Sequence, residues 1–277
     1  MSVQKQTVLI TGASTGIGKE AALYFQKQGW NVVATMRNPS KETQLSALEN
    51  TICERLDVTD TASIRSAIET SLKKFGKIDA VVNNAGYGLT GPFEGATPEQ
   101  IQRQYDTNVF GLMSVTREIL PHFRKNKSGV IINVASMAGR LAFPYHSLYH
   151  GTKWAVDGFS ESLRFELEPF GIKVKIIEPG AIKTDFYDRS NDNTVSASPS
   201  DYKELCELAF KNMKSAEEGA ISPVAVAKSI YRAASDGSNK LRYVVGPDAK
   251  SFLFLRNFLP DGVYAGLVKM SVFKGSK

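Results

Sequence analysis

The sequence of 277 residues predicts an α/β fold, in which one doubly wound, mostly parallel sheet of seven strands carries helices on both faces. Short apolar runs alternate with helical stripes through most of the chain, as in repeated strand–helix–strand units. Most of these runs are continuously apolar, which is typical of parallel strands buried on both faces. No linker interrupts the alternation, so we predict a single domain.

Each predicted element follows from its own pattern. The predicted strands are Val8–Thr11, Asn31–Met36, Ile52–Leu56, Ala80–Asn83, Val130–Ala135, Lys173–Glu178 and Leu241–Val245. After the first strand, Ile17, Ala21 and Phe25 recur at helical spacing. Further along, Thr97 and Gln100 predict the N-cap and the third position of a capping box that starts a helix.

Two segments depart from the alternation. Residues 183–222 carry scattered Asp, Asn, Ser and Pro and follow the carboxyl end of a predicted strand. A connection of that length at that place is typical of a substrate loop or lid. Residues 250–277 are apolar and basic, and we expect this C-terminal extension to pack on the domain formed by residues 1–249.

The composition is that of an ordinary globular protein, with 42% apolar and 22% charged residues. The two cysteines, Cys53 and Cys206, form no disulfide framework, which favours a reducing, cytoplasmic location. No apolar run reaches the roughly 18 residues that a membrane-spanning helix needs, and the start of the chain lacks the pattern of a secretory signal. We therefore expect neither a membrane span nor secretion.

The net charge of +6 is concentrated in the tail. From Lys250 onward, five basic residues stand against Asp261 alone, which gives this segment +4 and leaves +2 for the rest. Because the excess lies in an apolar tail, we expect no nucleic-acid partner. For the tail itself, peripheral membrane contact is a less favoured alternative to closing a cleft or capping an oligomer surface.

A glycine-rich loop separates the first predicted strand from the first predicted helix. Gly12 allows a tight turn, Gly16 allows the backbone to approach a pyrophosphate, and Gly18 allows close packing of helix on sheet. The phosphates would lie at the helix N-terminus, where free N–H groups attract anions. In this strand–loop–helix context the pattern predicts a dinucleotide site on a Rossmann fold.

The end of the second strand indicates which dinucleotide is bound. An NAD site would place a carboxylate there for the ribose hydroxyls, whereas this strand ends in Met36-Arg37. A guanidinium pairs with a 2′-phosphate that a carboxylate would repel. We therefore predict NADP(H), with Arg37 and Ser14 as contacts to the 2′-phosphate.

Four polar residues form a candidate catalytic set. Tyr149 and Lys153 are four residues apart and share a helix face, Ser136 ends the fifth strand, and Asn108 lies in the preceding helical stretch. Each residue alone has an ordinary structural explanation. Together with the phosphate loop they indicate a dinucleotide-dependent enzyme.

With these residues, the chain from about Val8 to Thr184 resembles the short-chain dehydrogenase/reductase family. Its T-G-x-x-x-G-x-G loop, Asp57, Asn84-Ala85-Gly86 and Pro179-Gly180 match the family pattern, and the Asn–Ser–Tyr–Lys tetrad is complete. Phe143-Pro144 and the long tail are similar to the hydroxysteroid and retinol dehydrogenase branch. The resemblance implies a homo-oligomer, a dimer or tetramer, formed through the helices carrying Asn108 and Tyr149.

Loop and resemblance together predict the cofactor-binding residues Gly12, Ser14, Thr15, Gly16, Ile17, Gly18, Arg37, Asp57, Val58, Asn84, Ala85, Gly86, Tyr149, Lys153, Pro179, Gly180, Ile182 and Thr184. The resemblance implies that Lys153 holds the nicotinamide ribose and that Asn108 anchors a water that relays protons to it.

The chemistry explains the residue types. A carbonyl that receives hydride must be protonated on oxygen, and Tyr149 is a usable acid, while the hydroxyl of Ser136 stabilises the developing oxyanion. An ammonium about 5 Å away favours a phenolate by about 3 kcal/mol, or about two pKa units. We therefore expect Lys153 to lower the pKa of Tyr149 towards neutrality.

An apolar substrate is expected from the side chains near the cleft. The predicted substrate residues are Tyr87, Leu89, Phe93, Ser136, Leu141, Phe143, His146, Tyr149, Phe186 and Tyr187. His150 should point away from Tyr149 into packing, and no third ligand accompanies the histidine pair, so we expect no metal site.

The function that fits these residues best is an NADP(H)-dependent carbonyl reductase or alcohol dehydrogenase. It would act on an apolar ketone, aldehyde or secondary alcohol. Two alternatives stay open: a reductase of carrier-linked 3-oxoacyl chains, and a non-catalytic dinucleotide-binding regulator on the same fold.

Overall fold

A sheet of seven parallel strands forms the centre of the computed structural model, which describes residues 5–183, 191–216 and 220–275. The described residues form nine strands, of which β5 and β8 make a separate two-stranded sheet. They are β1 (Thr7–Ile10), β2 (Asn31–Met36), β3 (Thr51–Arg55), β4 (Ala80–Asn83), β5 (Gly88–Thr90), β6 (Gly129–Val134), β7 (Ile172–Pro179), β8 (Asn191–Asn193) and β9 (Arg242–Val245). The sheet order is β3-β2-β1-β4-β6-β7-β9. The predicted doubly wound sheet is confirmed, and its strands lie within one residue of their predicted bounds.

The helices cover both faces of this sheet. They are α1 (Gly16–Lys27), α2 (Thr61–Phe75), α3 (Pro98–Tyr105), α4 (Leu112–Asn126), α5 (Ser147–Leu167), α6 (Lys203–Ala216), α7 (Pro223–Ser235), α8 (Pro247–Phe258) and α9 (Asp261–Val272). Helices α1 and α7 pack on one face, and α2, α4 and α5 on the other. No helix among the described residues is long and apolar enough to cross a membrane.

The continuous apolar strands are explained by this three-layer arrangement. In β1, Val8 and Ile10 belong to the core beneath α1 and α7, whereas Leu9 between them belongs to the opposite core. Successive side chains of a strand point to opposite faces, so a strand covered on both sides must be apolar throughout.

The strand order reverses between β1 and β4, with β2 on the other side of β1. In doubly wound sheets, ligands bind outside the carboxyl ends of the strands at this switch point. The predicted site residues Gly12, Arg37, Asn84, Ser136 and Gly180 all follow or end such a strand. The topology therefore brings them to one edge of the sheet.

The junction between α3 and α4 departs from the regular helix expected around Asn108. Asp106–Gly111 forms a π-helical turn there, with Asn108 buried inside it. Gly111 lies so close to Val58 that an added Cβ would be 2.6 Å from Val58 Cγ2. Such turns are uncommon and occur frequently at functional sites, and periodicity alone does not reveal them.

The segment predicted as a loop or lid contains regular structure. Strand β8 pairs in parallel with β5, and α6 buries Cys206 and Ala209. A bridge between Ile182 and Ile221 closes the base of the segment. The described part of the segment is therefore folded, because α6 has an apolar face to bury, and its role as a substrate loop or lid stays a prediction.

The C-terminal extension forms the helices α8 and α9. Leu253 and Tyr264 on these helices form a small apolar cluster with Leu141, which follows β6 and lies more than 100 residues before them in sequence. Phe143 and Phe252 pack against this cluster with ring centroids 5.7 Å apart. The extension therefore covers the segment that follows Ser136.

Candidate active site

The glycine loop after β1 has the conformation that the sequence predicted. Gly12 and Gly16 have φ of +65° and +55°, a region that favours glycine. A Cβ on Gly18 would overlap Gly12 O and lie 2.5 Å from Asn84 Nδ2. The close approach of helix to strand thus requires glycine at position 18.

Asn84 fixes this loop from the end of β4. Its Nδ2 donates to the carbonyl oxygens of Thr11 and Gly12 at 3.0 and 3.1 Å. In return, the hydroxyl of buried Thr11 accepts hydrogen bonds from the N–H groups of Asn84 and Ala85. Asn84 and Thr11 therefore hold the shape of the loop, and Thr11 is a positioning residue absent from the predicted site.

The N-terminus of α1 fits a phosphate. Thr15 is the N-cap residue of α1, and no side chain of the described residues forms a capping hydrogen bond there. The first turn of α1 carries no acidic residue. By contrast, Asp60 caps α2 by accepting from Ala62 N and Ser63 N. First-turn N–H groups of α1 are thus left for an anionic ligand, and the exposed Ser14 and Thr15 lie beside them.

Arg37 lies where a 2′-phosphate contact is expected. The loop residue Ala13 donates its N–H to Thr35 O, which places the loop against the end of β2, two residues before Arg37. The Arg37 side chain is exposed and makes no ion pair with a described residue. The residues present therefore fit a phosphorylated dinucleotide.

Asp57 and Val58, at the end of β3, have structural partners. Asp57 Oδ1 accepts from the N–H and the hydroxyl of Thr59 at 3.0 and 2.7 Å, which closes a local turn. Val58 is buried against the π-helical turn at Gly111. Both residues lie at the part of the sheet edge where the glycine loop would bind the nucleotide.

Ser136, Tyr149 and Lys153 come together beyond β6. Ser136 follows the strand and shares a hydrogen bond with Tyr149. Lys153 Nζ lies 5.7 Å from the centroid of the Tyr149 ring and donates to Val134 O at 2.9 Å. The strand end and the first turns of α5 thus assemble a hydroxyl, a phenol and an amine in one half-buried place.

The electrostatics of this group differ from expectation. Burial raises the pKa of Tyr149 to about 12, and the hydrogen bond with Ser136 offsets this only in part. Burial also lowers the pKa of Lys153 to about 8. The predicted fall of the Tyr149 pKa towards neutrality is therefore wrong for the chain alone, because removing the phenolate from water raises this pKa.

Asn108 clamps the segment after β4. Its Oδ1 accepts from Tyr87 N at 3.0 Å, and its Nδ2 donates to Tyr87 O and Thr152 Oγ1 at 2.8 and 3.2 Å. Both amide hydrogens are thus committed within the protein, and the relay water implied by the resemblance stays a prediction. Gly86 lies beside it, because a Cβ there would be 3.0 Å from Asn108 Oδ1.

His150 is buried, as predicted, and joins α5 to the segment after Ser136. Its Nε2 accepts from Phe143 N at 3.2 Å, and its Nδ1 donates to Ala138 O at 2.9 Å. Burial lowers its pKa to about 4, so the imidazole is neutral at physiological pH. Nothing in the sequence indicated these two hydrogen bonds.

The end of β7 is held by a residue that sequence reasoning missed. Asp248, in the first turn of α8, accepts a hydrogen bond from Ala181 N at 2.7 Å. A Cβ on Gly180 would overlap this carboxylate. The run Gly246-Pro247-Asp248 is typical of a helix start but does not reveal the contact across the sheet edge.

The remaining predicted residues fall into three groups. Leu89 and Leu141 are 2% and 0% exposed, so they have almost no surface to offer a substrate and pack in the core instead. Tyr87, Phe143 and His146 are partly exposed near the edge, whereas Phe93 is 61% exposed. Ile17 and Ile182 are half-buried on the nucleotide side, and Thr184, Phe186 and Tyr187 lie outside the described residues.

Comparisons with known proteins agree with this geometry. A sequence profile described as short chain dehydrogenase matches residues 6–195. The 3-ketodihydrosphingosine reductase of Bacteroides thetaiotaomicron is 34% identical over 262 residues, which cover 94% of this chain and 96% of that protein.

Two solved structures are similar in fold. A short-chain dehydrogenase from Streptomyces avermitilis superposes with a TM-score of 0.85 and 32% identity over 98% of this chain and 97% of that one. ElxO, solved with NADP bound, gives a TM-score of 0.75 and 31% identity over 89% of this chain and 99% of that one.

Proposed function

This chain belongs to the short-chain dehydrogenase/reductase family, and from that premise we propose that it is an NADP(H)-dependent carbonyl reductase/alcohol dehydrogenase. It would transfer hydride between the nicotinamide and an apolar ketone, aldehyde or secondary alcohol. The observation that carries the proposal is the grouping of half-buried Ser136, Tyr149 and Lys153 beside a loop shaped for a dinucleotide.

In the direction of reduction, Tyr149 is the general acid. Its raised pKa of about 12 keeps the phenol protonated at neutral pH, so a proton is available for the carbonyl oxygen. Ser136 donates its hydroxyl hydrogen to the same oxygen as negative charge develops there. The bound cofactor supplies the hydride to the carbonyl carbon.

Lys153 restores the acid after each turnover. With a pKa of about 8 it is still largely an ammonium at neutral pH, and a neighbouring phenolate is the stronger base. Lys153 would therefore be the source from which the Tyr149 oxygen is reprotonated. In the bound enzyme Lys153 also holds the nicotinamide ribose.

The cofactor is NADP(H) in this proposal. Arg37 would pair with the 2′-phosphate, with Ser14 beside it, while the α1 N-terminus takes the pyrophosphate. ElxO, a structural relative solved with NADP bound, supports the assignment by similarity. That the protein is a homo-oligomer and that it is cytoplasmic remain predictions.

An apolar carbonyl substrate is supported by the half-buried aromatic side chains Tyr87 and Phe143 and by the covering helices α8 and α9. The relative named a 3-ketodihydrosphingosine reductase acts on a 3-keto compound, which supports a ketone as the reacting group.

The proposal is tested by following NADPH and NADH absorbance with aryl ketones, steroids, retinoids and oxoacyl thioesters. We expect NADPH oxidation with apolar ketones or aldehydes, and its loss in Tyr149→Phe with NADPH affinity retained. Tyr231→Phe is the control, since that ring packs against Phe25 and Trp30 away from the sheet edge. Undiminished turnover in Tyr149→Phe would contradict the catalytic assignment.

The cofactor assignment has its own test. Arg37→Ala should raise KM for NADPH far more than for NADH. Arg124→Ala is the control, because Arg124 is exposed in the last turn of α4, at the amino edge of the sheet. A wild-type preference for NADH would overturn the 2′-phosphate contact while leaving the reductase chemistry intact.

A further inference from the structure

The outer surface of the two C-terminal helices exposes large apolar side chains. Phe254 and Phe258 on α8 are 62% and 71% exposed, and Val263 and Met270 on α9 are 51% and 67% exposed. Several large apolar side chains gathered on one surface are uncommon on soluble proteins and mark a contact with another body.

These side chains form two stripes. Phe254 and Phe258 are one helical turn apart, with ring centroids 4.6 Å from each other. On α9, Val263, Leu267 and Met270 recur at i, i+4 and i+7, so they share one face. We call α8 and α9 together the C-terminal hairpin and these five residues its apolar face.

Helix α9 has little polar surface to offer to water. It carries only two charged residues, Asp261 and Lys269, while Tyr264 and Val272 point into the protein. A helix that is apolar on nearly all sides is normally covered. The described residues of the chain cover one of its sides and leave the apolar face open.

The charges around the apolar face are basic. Lys250, Lys269 and Lys274 are exposed, and Lys269 and Lys274 line a shallow depression together with Leu267, Met270 and Phe273. The exposed acid Asp261 is paired with Arg256 at 2.5 Å. A second copy meeting this face through a two-fold axis would bring like charges together, whereas an anionic lipid surface complements them.

The inner side of the hairpin lies on the active-site segment. Leu253 and Tyr264 pack on Leu141, and Phe252 packs on Phe143, in the segment that follows Ser136. A bilayer seated on the apolar face would therefore lie a single layer of helices away from that segment.

We propose that the apolar face of the C-terminal hairpin docks on anionic bilayers, so that the protein lies on the membrane without crossing it. Docking would deliver membrane-dissolved carbonyl substrates to the cleft, an inference that rests on the proposed function. The docking itself does not depend on the proposed function.

The test is sedimentation of the full chain with vesicles of phosphatidylcholine alone and with phosphatidylglycerol added. Wild type should bind the anionic vesicles and lose binding as salt is raised. Phe254→Ser with Phe258→Ser should weaken binding about tenfold or more, since both rings are then lost from the interface. Lys269→Glu should weaken binding to anionic vesicles more than fivefold, since about fivefold is the contribution of a single lysine.

Phe170→Ser is the matched control, because that phenylalanine is also exposed but precedes β7 at the amino edge of the sheet. It should bind vesicles like wild type. No binding of wild type to anionic vesicles overturns the proposal, and so does an oligomer that the Phe254→Ser/Phe258→Ser change dissociates in the absence of lipid.

Turnover of a water-soluble carbonyl separates the two proposals. The double variant should retain it, because the two rings face away from the site. Vesicle binding without any carbonyl turnover would contradict the proposed function and leave docking standing, whereas turnover without vesicle binding would do the reverse.

Discussion

Two parts of the sheet edge are built in different ways. We call the part at the glycine loop the nucleotide side and the part at the segment after Ser136 the substrate side. On the nucleotide side, the main chain of the glycine loop, fixed by Asn84 and Thr11, sets the shape. On the substrate side, side chains from distant parts of the sequence hold the segment after Ser136, with His150 beneath it and Leu253 above it. A site made of main chain leaves a short motif, whereas a site made of distant side chains leaves none.

The difference also has an energetic aspect. A change on the nucleotide side must move backbone, which is costly because helix and strand are in contact there. A change on the substrate side removes individual hydrogen bonds or apolar contacts, each worth on the order of 1–3 kcal/mol. Substitutions on the two sides should therefore separate cofactor binding from carbonyl turnover.

The largest effect on cofactor binding is expected for Gly18→Ala. The added methyl group would overlap Gly12 O, so the loop must shift, and we expect NADPH affinity to fall by about 2 kcal/mol, or about thirtyfold. Binding is measured by fluorescence titration. Gly262→Ala is the control, since a Cβ there meets nothing within 4 Å, and wild-type affinity in Gly18→Ala would contradict the requirement for glycine.

His150→Phe tests the substrate side. The change leaves Phe143 N and Ala138 O without their buried partner, so we expect about 3 kcal/mol of lost unfolding free energy and about tenfold lower kcat/KM for the carbonyl. NADPH affinity should change less than about twofold, because the nucleotide loop is untouched.

His122→Phe is the matched control. His122 Nε2 accepts from Ile78 N at the amino edge of the sheet. This variant should lose stability but keep kcat/KM. Equal losses of kcat/KM in both variants would show that His150 acts only through general stability.

Glu178 lies between the two sides, and its burial leads us to expect that the free energy of unfolding depends on pH. It is fully buried at the end of β7, with Arg140 and Arg242 each 3.5 Å away, and burial raises its pKa to about 7. The folded state therefore binds more protons than the unfolded state between about pH 4.5 and pH 7. Ionisation of Glu178 should contribute a fall of about 2–3 kcal/mol in unfolding free energy as pH rises through this window, while His150, with its lowered pKa, contributes in the opposite direction.

Glu178→Gln should remove this fall, and urea unfolding at several pH values measures it. Glu166→Gln, a change at an exposed carboxylate of α5, should keep the wild-type profile. A difference in unfolding free energy between wild type and Glu178→Gln that stays constant from pH 4.5 to pH 7 would contradict the role of Glu178.

The smallest effect is expected for Asp248→Asn. The carboxylate accepts from Ala181 N, and an amide oxygen can still accept but more weakly, so KM for NADPH should rise about threefold. Asp261→Asn is the control, since that carboxylate is exposed and distant from β7. An unchanged KM would show that the C-terminal helices do not help to hold the nucleotide side.

The sequence predicted the sheet because a strand covered on both faces must be apolar throughout, as Val8, Leu9 and Ile10 show. It predicted the nucleotide loop because only glycine tolerates the conformation of Gly12 and the packing at Gly18. The capping box at Thr97 and Gln100 is also confirmed, since it depends on neighbours only.

Other features could not be predicted from local patterns. The π-helical turn around Asn108 depends on contacts with Tyr87 and Thr152, which are 21 and 44 residues away. The raised pKa of Tyr149 depends on burial, which is a property of the assembled fold. Leu141 was predicted to touch substrate because it follows Ser136, but α8 and α9 cover it completely.

The parallel sheet has a practical consequence for attaching the enzyme to a solid support. Because all its strands run in one direction, β1 begins at Thr7 on the edge opposite Ser136, Tyr149 and Lys153. A tether joined ahead of β1 should leave the cleft facing the bulk liquid. A tether joined after α9 would emerge beside the apolar face of the C-terminal hairpin and compete with any surface that this face touches.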